Sequence, residues 1–151
     1  MNNYNLISDE YKKIYLSEEA YNLAYKGINV KENEQIVLEI KDTNWCYQFA
    51  KNIPGADIKA HERIILKYKD TCWCYFFAKE VSGANIKLHE QVILEIKNPY
   101  CCYVFARDIP GSNIEEHFKV IINSKSKYFL NKFIEEVNYK GTKVEEWLLY
   151  I

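Results

Sequence analysis

The sequence predicts an all-α protein, an α-solenoid (α/α superhelix) of two-helix, 28-residue repeats with capping helices at both ends. Three observations predict it. The glycines Gly27, Gly55, Gly83 and Gly111 are each separated by 28 residues. Apolar residues between them follow a helical period, and the same residue types return at the same place in successive intervals. A fixed period of roughly 20–50 residues is the signature of stacked repeats, which bury their apolar faces on one another.

The first helix of each repeat, helix A, is defined by its apolar stripe. In the second full repeat the stripe predicts a helix at about 58–69, with Asp57 as its N-cap. Asparagines hold the equivalent place in the other repeats, at Asn29, Asn85 and Asn113. The core column of helix A reads Val37, Ile65, Ile93, Ile121.

The second helix, helix B, follows a tight turn in which Asp70 or Thr71 is the predicted cap. Its core face carries Phe77, and Gly83 is the predicted C′ residue that ends it in a left-handed conformation. One phenylalanine column runs through the helices B, at Phe49, Phe77, Phe105 and Phe133. We expect a right-handed superhelix by analogy with other short-helix repeats.

The chain is thus predicted to be a single repeat domain over residues 1–151. Residues 1–27 form an N-terminal cap, in which Ser8–Lys26 is predicted to be a pair of helices. Three core repeats follow at 28–55, 56–83 and 84–111, then a degenerate repeat at 112–138. A C-terminal capping helix occupies 139–151 and presents Val144, Trp147, Leu148 and Ile151.

Composition excludes several classes of function. The net charge is −1 and the sequence pI about 6.3, so no global field attracts nucleic acid or membrane. No apolar run approaches the roughly 18 residues of a membrane span. The stretch Met1–Glu10 has no basic start followed by an apolar core, so we expect no signal peptide and a cytoplasmic location.

Two recurring columns resemble metal or redox sites but predict neither. The three histidines, His61, His89 and His117, are 28 residues apart, and side chains one helix spacing (~10 Å) apart cannot share a zinc ion. The same spacing forbids disulfides within the column Cys46, Cys74, Cys102. We therefore expect structural histidines, structural thiols and no cofactor. Because no nucleophile has a base beside it, we also expect no enzymatic activity.

The outward positions of helix B are the predicted partner-binding residues. A tyrosine column (Tyr47, Tyr75, Tyr103) runs beside a basic column (Lys51, Lys79, Arg107), while the positions next to them vary and include Cys72, Phe76, Tyr100 and Val104. A fixed frame with variable outward positions is typical of a binding groove. Aromatic and arginine anchors favour a protein partner.

Two alternatives stay open for this face. Repeated aromatics with Lys/Arg are also able to stack bases and hold the phosphates of single-stranded RNA. Against RNA, Asn52, Glu80 and Asp108 directly follow the basic residues and partly neutralise them. The other alternative is that the columns pack repeats together, with the basic side chains extended along them.

The stretch Lys69–Lys87, with its sisters from Lys41 and Lys97, resembles a short helical repeat found in tandem in bacterial and phage proteins of unassigned function. The resemblance covers roughly residues 27–125 and brings no functional residue with it. The small size and Lys/Asn/Ile/Tyr-rich composition also resemble phage-encoded inhibitors of host defence such as anti-CRISPR proteins. This resemblance implies an inhibitor that binds a defence nuclease.

Overall fold

The computed structural model of the chain describes residues 9–150, and each regular element within them is a helix. Ten α-helices in that range are followed by a 3-10 turn at Leu148–Tyr150. The all-α prediction is confirmed. In chain order the α-helices are α1 Asp9–Tyr25, α2 Val30–Ile40, α3 Thr43–Asn52, α4 Ile58–Tyr68, α5 Thr71–Glu80, α6 Ile86–Ile96, α7 Pro99–Asp108, α8 Ile114–Asn123, α9 Lys127–Glu136 and α10 Lys143–Trp147.

The 28-residue period holds for the helices themselves. Helices A (α2, α4, α6, α8) begin at Val30, Ile58, Ile86 and Ile114, and helices B (α3, α5, α7, α9) begin at Thr43, Thr71, Pro99 and Lys127. The helix predicted at about 58–69 is α4. Because both helix types recur at the same spacing, the repeat in the sequence is a repeat of secondary structure.

The described residues divide into two compact units. Unit 1 comprises the residues up to Tyr68 together with Glu80–Ala84, and unit 2 comprises Lys69–Lys79 together with the residues from Asn85 onward. In unit 1, α1 packs on α2 and α3 packs on α4. Its core is fully buried at Val37, Cys46, Phe49, His61 and Ile65.

The core of unit 2 is formed by the same two columns, the apolar column of helix A and the phenylalanine column of helix B. Helix α7 packs on both α8 and α9, and α10 packs on α8. The fully buried side chains include Phe77, Ile93, Phe105, Ile121 and Phe133. At the C-terminal end Val144 is completely buried, and the ring of Trp147 stacks on Phe118 with 6.1 Å between centroids. Helix α10 thus covers the side of α8, while Ile151 lies outside the described residues.

The N-terminal region differs from its prediction as a pair of helices. From Asp9 to Tyr25 it is one helix of 17 residues, and the remainder of the predicted cap, residues 1–8, lies outside the described residues. Ser17 lies within this helix and is buried. A serine between alternating apolar and charged residues does not stop a helix unless its position is free to act as a cap.

The predicted caps hold except in the first repeat. Asp57 Oδ1 accepts a hydrogen bond from the backbone N–H of Ala60, and Asp70 Oδ1 accepts from those of Cys72 and Trp73. Asn29 is the N-cap residue of α2 by position, but its φ of 44° is left-handed and its side chain makes no capping hydrogen bond. The side-chain cap is therefore absent at Asn29, although the residue holds the predicted N-cap position.

The repeat glycines lie in the turn that follows helix B and are not part of its C-terminal cap. Gly55 and Gly111 lie two residues past their C-cap residues, Ile53 and Ile109, so the prediction of a C′ glycine is corrected. Each glycine is the third residue of a four-residue turn. The turns are closed by hydrogen bonds from Ala56 N to Ile53 O and from Ser112 N to Ile109 O, both 3.2 Å. The third position of such a turn needs a positive φ, which is 78° at Gly55 and favours glycine. Left-handed residues at the ends of helices A are lysines instead, at Lys41, Lys69, Lys97 and Lys125.

Candidate binding surface

The starts of the helices B are fixed by polar caps, which set the register of the predicted surface. Asp42 Oδ1 accepts from the N–H of Trp45 (3.0 Å), and Asn98 Oδ1 accepts from that of Tyr100 (3.0 Å). Pro99 occupies the first turn of α7, where its missing N–H costs no hydrogen bond. From these caps onward, the tyrosine column and the basic column fall four residues apart on the same side of each helix.

In unit 1 the first tyrosine and the first lysine of the two columns both bind one carboxylate. The Tyr47 hydroxyl donates to Oε2 of Glu80, and Lys51 Nζ lies 3.0 Å from the Tyr47 hydroxyl and also donates to Glu80. We call Tyr47, Lys51 and Glu80 cluster 1. The carboxylate comes from the end of the helix B one repeat later, 33 residues after the tyrosine.

Unit 2 contains two further clusters of the same design. Cluster 2 is Tyr75, Lys79 and Asp108, with Lys79 Nζ at 2.8 Å from both the tyrosine hydroxyl and Asp108 Oδ2. Cluster 3 is Tyr103, Arg107 and Glu136, with Arg107 Nη1 at 2.8 Å from the hydroxyl and 3.3 Å from Glu136 Oε2.

Each cation also lies over the ring of its own tyrosine. The distance from the charged group to the ring centroid is 5.3 Å for Lys51, 5.2 Å for Lys79 and 5.0 Å for Arg107. This is within the range of a cation–π contact. The side-chain stems therefore cover the tyrosines while the heads reach a carboxylate, which is how long basic side chains pack along an apolar surface.

Within clusters 2 and 3 the pKa values of the acids are lowered and the pKa of a tyrosine is raised, as expected for acids held in ion pairs. The guanidinium of Arg107, more than the ammonium of Lys79, holds the pKa of Asp108 well below its ordinary value. Hydrogen bonds from Lys132 and then Tyr103 lower the pKa of Glu136 to about 2. Burial, followed by the hydrogen bond to a carboxylate, raises the pKa of Tyr75. The acids of clusters 2 and 3 are consequently ionised near neutral pH.

Three of the ten predicted surface residues are buried. Tyr47 and Tyr103 are each 5% exposed and Val104 is 6% exposed, so the prediction that they line an open groove is wrong. Val104 is covered because α7 packs on two neighbouring helices and has no free side along Cys101–Ala106. The cations Lys51 and Arg107 lie over the rings of Tyr47 and Tyr103.

The other predicted residues keep some exposure. Tyr75 is half-buried and Phe76 is exposed, and their rings contact each other at 5.1 Å between centroids. Cys72 is exposed at the second position of α5. The basic residues Lys51, Lys79 and Arg107 are also exposed, but each is held in its cluster.

An aromatic surface on α7 and α9 extends beyond the prediction. Tyr100 is 53% exposed and Tyr128 is 65% exposed, and both rings contact the half-buried Phe129, at 6.0 and 5.1 Å between centroids. We call these three residues the aromatic surface. Sequence reasoning found Tyr100 but missed Tyr128 and Phe129. Tyr128 is 28 residues after Tyr100, so extending the column into the degenerate repeat was the available signal.

The histidine column is fully buried, and two of its three members pair with glutamates. His61 Nε2 lies 3.2 Å from Glu34 Oε1, and His117 Nε2 lies 3.0 Å from Glu90 Oε1. Each of these carboxylates also accepts a backbone N–H at the start of the next helix A, from Asp57 and Asn113 respectively. Among residues 9–149 no group of three or more His, Cys, Asp or Glu side chains is arranged to hold a metal ion. His61 and His117 thus each connect one helix A to the next within a unit.

The cysteine column is also part of the core. Cys46, Cys74 and Cys102 are completely buried, and burial raises the pKa of each thiol to about 12. A thiol that stays protonated near neutral pH is a poor nucleophile. These residues therefore provide packing, and Cys72 is left as the exposed thiol of the five.

Comparison with protein-family models, with curated proteins and with solved structures finds no match for this chain. Within the described part of the chain, no helix combines the length and the apolar character needed to cross a bilayer.

Proposed function

We propose that this protein is a non-enzymatic α-solenoid that binds a protein partner through the helix B side of unit 2. The observation that carries the proposal is the contrast between the two kinds of outward residue. The cations of the helix B columns are held in clusters 1 to 3, whereas Tyr100 and Tyr128 of the aromatic surface are more than half exposed. Exposed tyrosines on rigid helices are typical anchors of protein interfaces.

The solenoid arrangement is part of the same proposal. Its support is the strict 28-residue spacing of helix starts, together with hydrogen bonds that join one repeat to the next inside each unit. Repeats of this size are stable only when stacked, and stacking leaves one helix of each repeat lining a continuous surface. The aromatic surface would then be one part of that lining.

Single-stranded RNA is the competing ligand for this side. Phosphate binding needs protein cations that are free to displace the counterions of the nucleic acid, and each additional phosphate contact steepens the salt dependence. In clusters 2 and 3 the positive charges of Lys79 and Arg107 already face Asp108 and Glu136. An RNA strand would have to displace those carboxylates, which argues for a protein partner instead.

The narrower form of the proposal is an inhibitor. A small cytoplasmic protein with a Lys/Asn/Ile/Tyr-rich composition and without evident catalytic chemistry fits a phage-encoded inhibitor of a bacterial defence nuclease. The partner would then be the nuclease, held by the aromatic surface. This form rests on composition and size, and the experiment below tests it by the identity of the captured protein.

The test is capture from a lysate of the source cell with the tagged full-length chain, half of the sample being treated with RNase. We expect a stoichiometric protein in both halves. The double variant Tyr100→Ala/Tyr128→Ala should lose at least tenfold of that binding, because both exposed anchors are removed. The control is Tyr68→Ala, which removes an exposed tyrosine of α4 in unit 1 and should bind as the parent does.

The salt dependence of the captured complex separates the ligands. Binding through the aromatic surface should change little between about 50 and 200 mM salt, whereas RNA binding should fall steeply over that range. Recovery of RNA alone, with binding lost in Lys79→Glu rather than in the tyrosine variant, would replace the protein-binding proposal with the RNA one. Retention of a protein partner by the double tyrosine variant would refute the assigned surface.

A further inference from the structure

Helix α4, in unit 1, carries a row of cations on its outer side. Lys59, Arg63 and Lys67 are all exposed and lie four residues apart, whereas Ile65 is completely buried. At 100° per residue, Arg63 points almost opposite to Ile65, and successive cations are about 6 Å apart along the helix axis. We call Lys59, Arg63 and Lys67 the basic row. The one acidic residue of α4, Glu62, is buried, so the outer side of this helix carries positive charge alone.

Within the described part of the chain, the cations of the basic row have no carboxylate partner. None of the three forms an ion pair across residues 9–149, and Arg63 instead donates a hydrogen bond from Nε to the backbone oxygen of Lys59 (3.3 Å). By contrast, the cations of clusters 1 to 3 are each held by an acid. Because like charges four residues apart destabilise a helix, the three cations are unfavourable for the fold taken by itself.

The basic row is specific to the second repeat. At the equivalent positions α2 and α6 both carry lysine, glutamine and glutamate, and in each helix the glutamine donates to the glutamate. The distance is 2.9 Å from Gln35 Nε2 to Glu39 Oε1 and 3.3 Å from Gln91 Nε2 to Glu95 Oε1. Helix α8 carries a single cation, Lys119, at these positions. Since the other repeats accept neutral and acidic residues here, the repeat fold does not require the three cations of α4.

We propose that the basic row binds the phosphate backbone of a single-stranded nucleic acid. The row extends about 12 Å along α4, and the phosphates of one stacked strand follow each other about every 3.4 Å, so each cation meets a phosphate of its own. Arg63, at the centre, carries the guanidinium group that holds a phosphate through two parallel hydrogen bonds. A polyanion gains affinity in addition, because each neutralised phosphate releases condensed counterions.

The surroundings of the row favour a single strand over other anionic partners. Ala60 and Leu66 beside the row are half-buried, so it offers no exposed apolar anchor, and exposed ion pairs alone add little to the affinity of a protein. Helix α2, which contacts α4, exposes Glu39 at the position equivalent to Lys67. Packed helices lie roughly 8–10 Å apart and the major groove of a duplex is about 12 Å wide, so a docked duplex would bring its second strand over this acid.

The proposal goes beyond the protein partner proposed above and is independent of it. The basic row belongs to unit 1, whereas the aromatic surface belongs to unit 2. A strand bound to the basic row displaces none of the acids of clusters 1 to 3. Failure of one proposal therefore leaves the other unaffected.

The test is the fluorescence anisotropy of a labelled oligouridine titrated with the full-length chain. About 12 nucleotides are enough, because at about 3.4 Å each they extend beyond both ends of the row. Three phosphate contacts predict that the logarithm of the association constant falls against the logarithm of salt concentration with a slope of about −2. The affinity should therefore fall roughly twentyfold between about 50 and 200 mM salt.

The decisive variant is Arg63→Gln/Lys67→Glu, which gives α4 the residues that α2 and α6 carry and should fold as the parent does. It should weaken oligouridine binding at least tenfold at about 50 mM salt and reduce the slope to about −0.7, because one contact remains. The matched control is Lys13→Gln/Lys26→Glu, the same change of net charge at two exposed lysines of unit 1 outside α4. It should bind within about threefold of the parent, since screened charges at a distance contribute little.

Further measurements separate the possible ligands. Circular dichroism of both variants should show unchanged helix content, and Tyr100→Ala/Tyr128→Ala should bind oligouridine as the parent does. The proposal would be overturned by absence of binding at about 50 mM salt, by an equal loss in the lysine control, or by a duplex of the same length that binds more tightly. Equal displacement of the oligouridine by polyglutamate would also overturn it, because the row would then be a site for acidic peptides.

Discussion

The hydroxyl of Tyr75 donates a hydrogen bond to Oδ2 of Asp108, a carboxylate 33 residues later at the end of the next helix B. The same relationship joins Tyr103 to Glu136. Because a charge-assisted hydrogen bond from a half-buried phenol cannot be fully replaced by water, the pair fixes the distance between two consecutive helices B. Unit 2 thus contains two equal polar contacts, one repeat apart.

Removing the Tyr75 hydroxyl should destabilise the fold. Tyr75→Phe leaves Asp108 with its two cations but deletes one donor, so we expect a loss of about 1 kcal/mol in the free energy of unfolding. Urea unfolding at neutral pH measures it. Tyr68→Phe, the same change at an exposed position, should stay within about 0.5 kcal/mol of the parent. An equal loss in both variants would mean that the hydrogen bond adds nothing.

Neighbouring phenylalanines of α5 should respond in opposite ways. Phe77 is fully buried in the phenylalanine column, so Phe77→Ala should cost about 3–5 kcal/mol through the cavity it leaves. Phe76→Ala, one residue earlier and exposed, should cost less than about 1 kcal/mol. Thermal unfolding of the two variants checks the assignment of the faces of α5. A large loss at position 76 would contradict it.

Stability should fall in mild acid because of His61. Burial, more than the opposing attraction of Glu34, lowers the pKa of His61 below its ordinary value of 6.5. The unfolded chain then binds more protons than the folded chain below that pH, so stability is complete above about 6.5 and declines as the pH falls through it. We expect His61→Asn, which copies the equivalent Asn33, to reduce the difference between unfolding free energies at about pH 8 and about pH 5.5. A slope identical to that of the parent would exclude His61 as its source.

Replacing a lysine that has a left-handed backbone conformation by glycine should stabilise the fold. Lys97 ends α6 with a φ of 57°, where a side chain costs about 1 kcal/mol relative to glycine. Lys97→Gly should therefore raise the free energy of unfolding by about 0.5–1 kcal/mol. The reverse change at a repeat glycine, Gly111→Ala at a φ of 79°, should lower it by a similar amount. Shifts of the same sign in both variants would contradict this account.

Thiol labelling should find one fast cysteine. Cys72 is exposed and the other four cysteines are buried, so a small thiol reagent should modify one thiol per folded chain and five after unfolding. Cys72→Ser should abolish the fast phase, while Cys74→Ser should leave it. Fast labelling of more than one thiol would mean that the core of one unit opens readily.

Periodic features of the fold were predictable because each repeat tests the same pattern again. The buried column of Val37 and Ile65, the buried thiol of Cys74 and the capping by Asp70 all follow from spacing and residue type. At Asn29 the residue type predicted the N-cap position but not the left-handed φ of 44° or the missing side-chain hydrogen bond.

The surface was harder to predict because exposure depends on neighbours that are distant in sequence. Val104 has the helix position of the exposed Phe76, yet it is buried because α7 has packed helices on both sides. The acid beside Lys79 also differs from the prediction. Sequence adjacency suggested Glu80, but the ion pair forms with Asp108 of the following repeat. Adjacency is correct at Arg107, which also donates to Asp108, so only three-dimensional packing shows which carboxylates serve the preceding repeat as well.

The equal spacing of the clusters has a consequence for how such a chain changes length. Excising residues 84–111 would join Gly83 directly to Ser112, and each remaining helix would keep its own cap and closing turn. The carboxylate 33 residues after Tyr75 would then be that of Glu136 in place of Asp108, an acid of the same charge. Duplication or deletion in steps of 28 residues therefore keeps a carboxylate 33 residues after each tyrosine. A step of any other length would leave a tyrosine and its cation without that carboxylate.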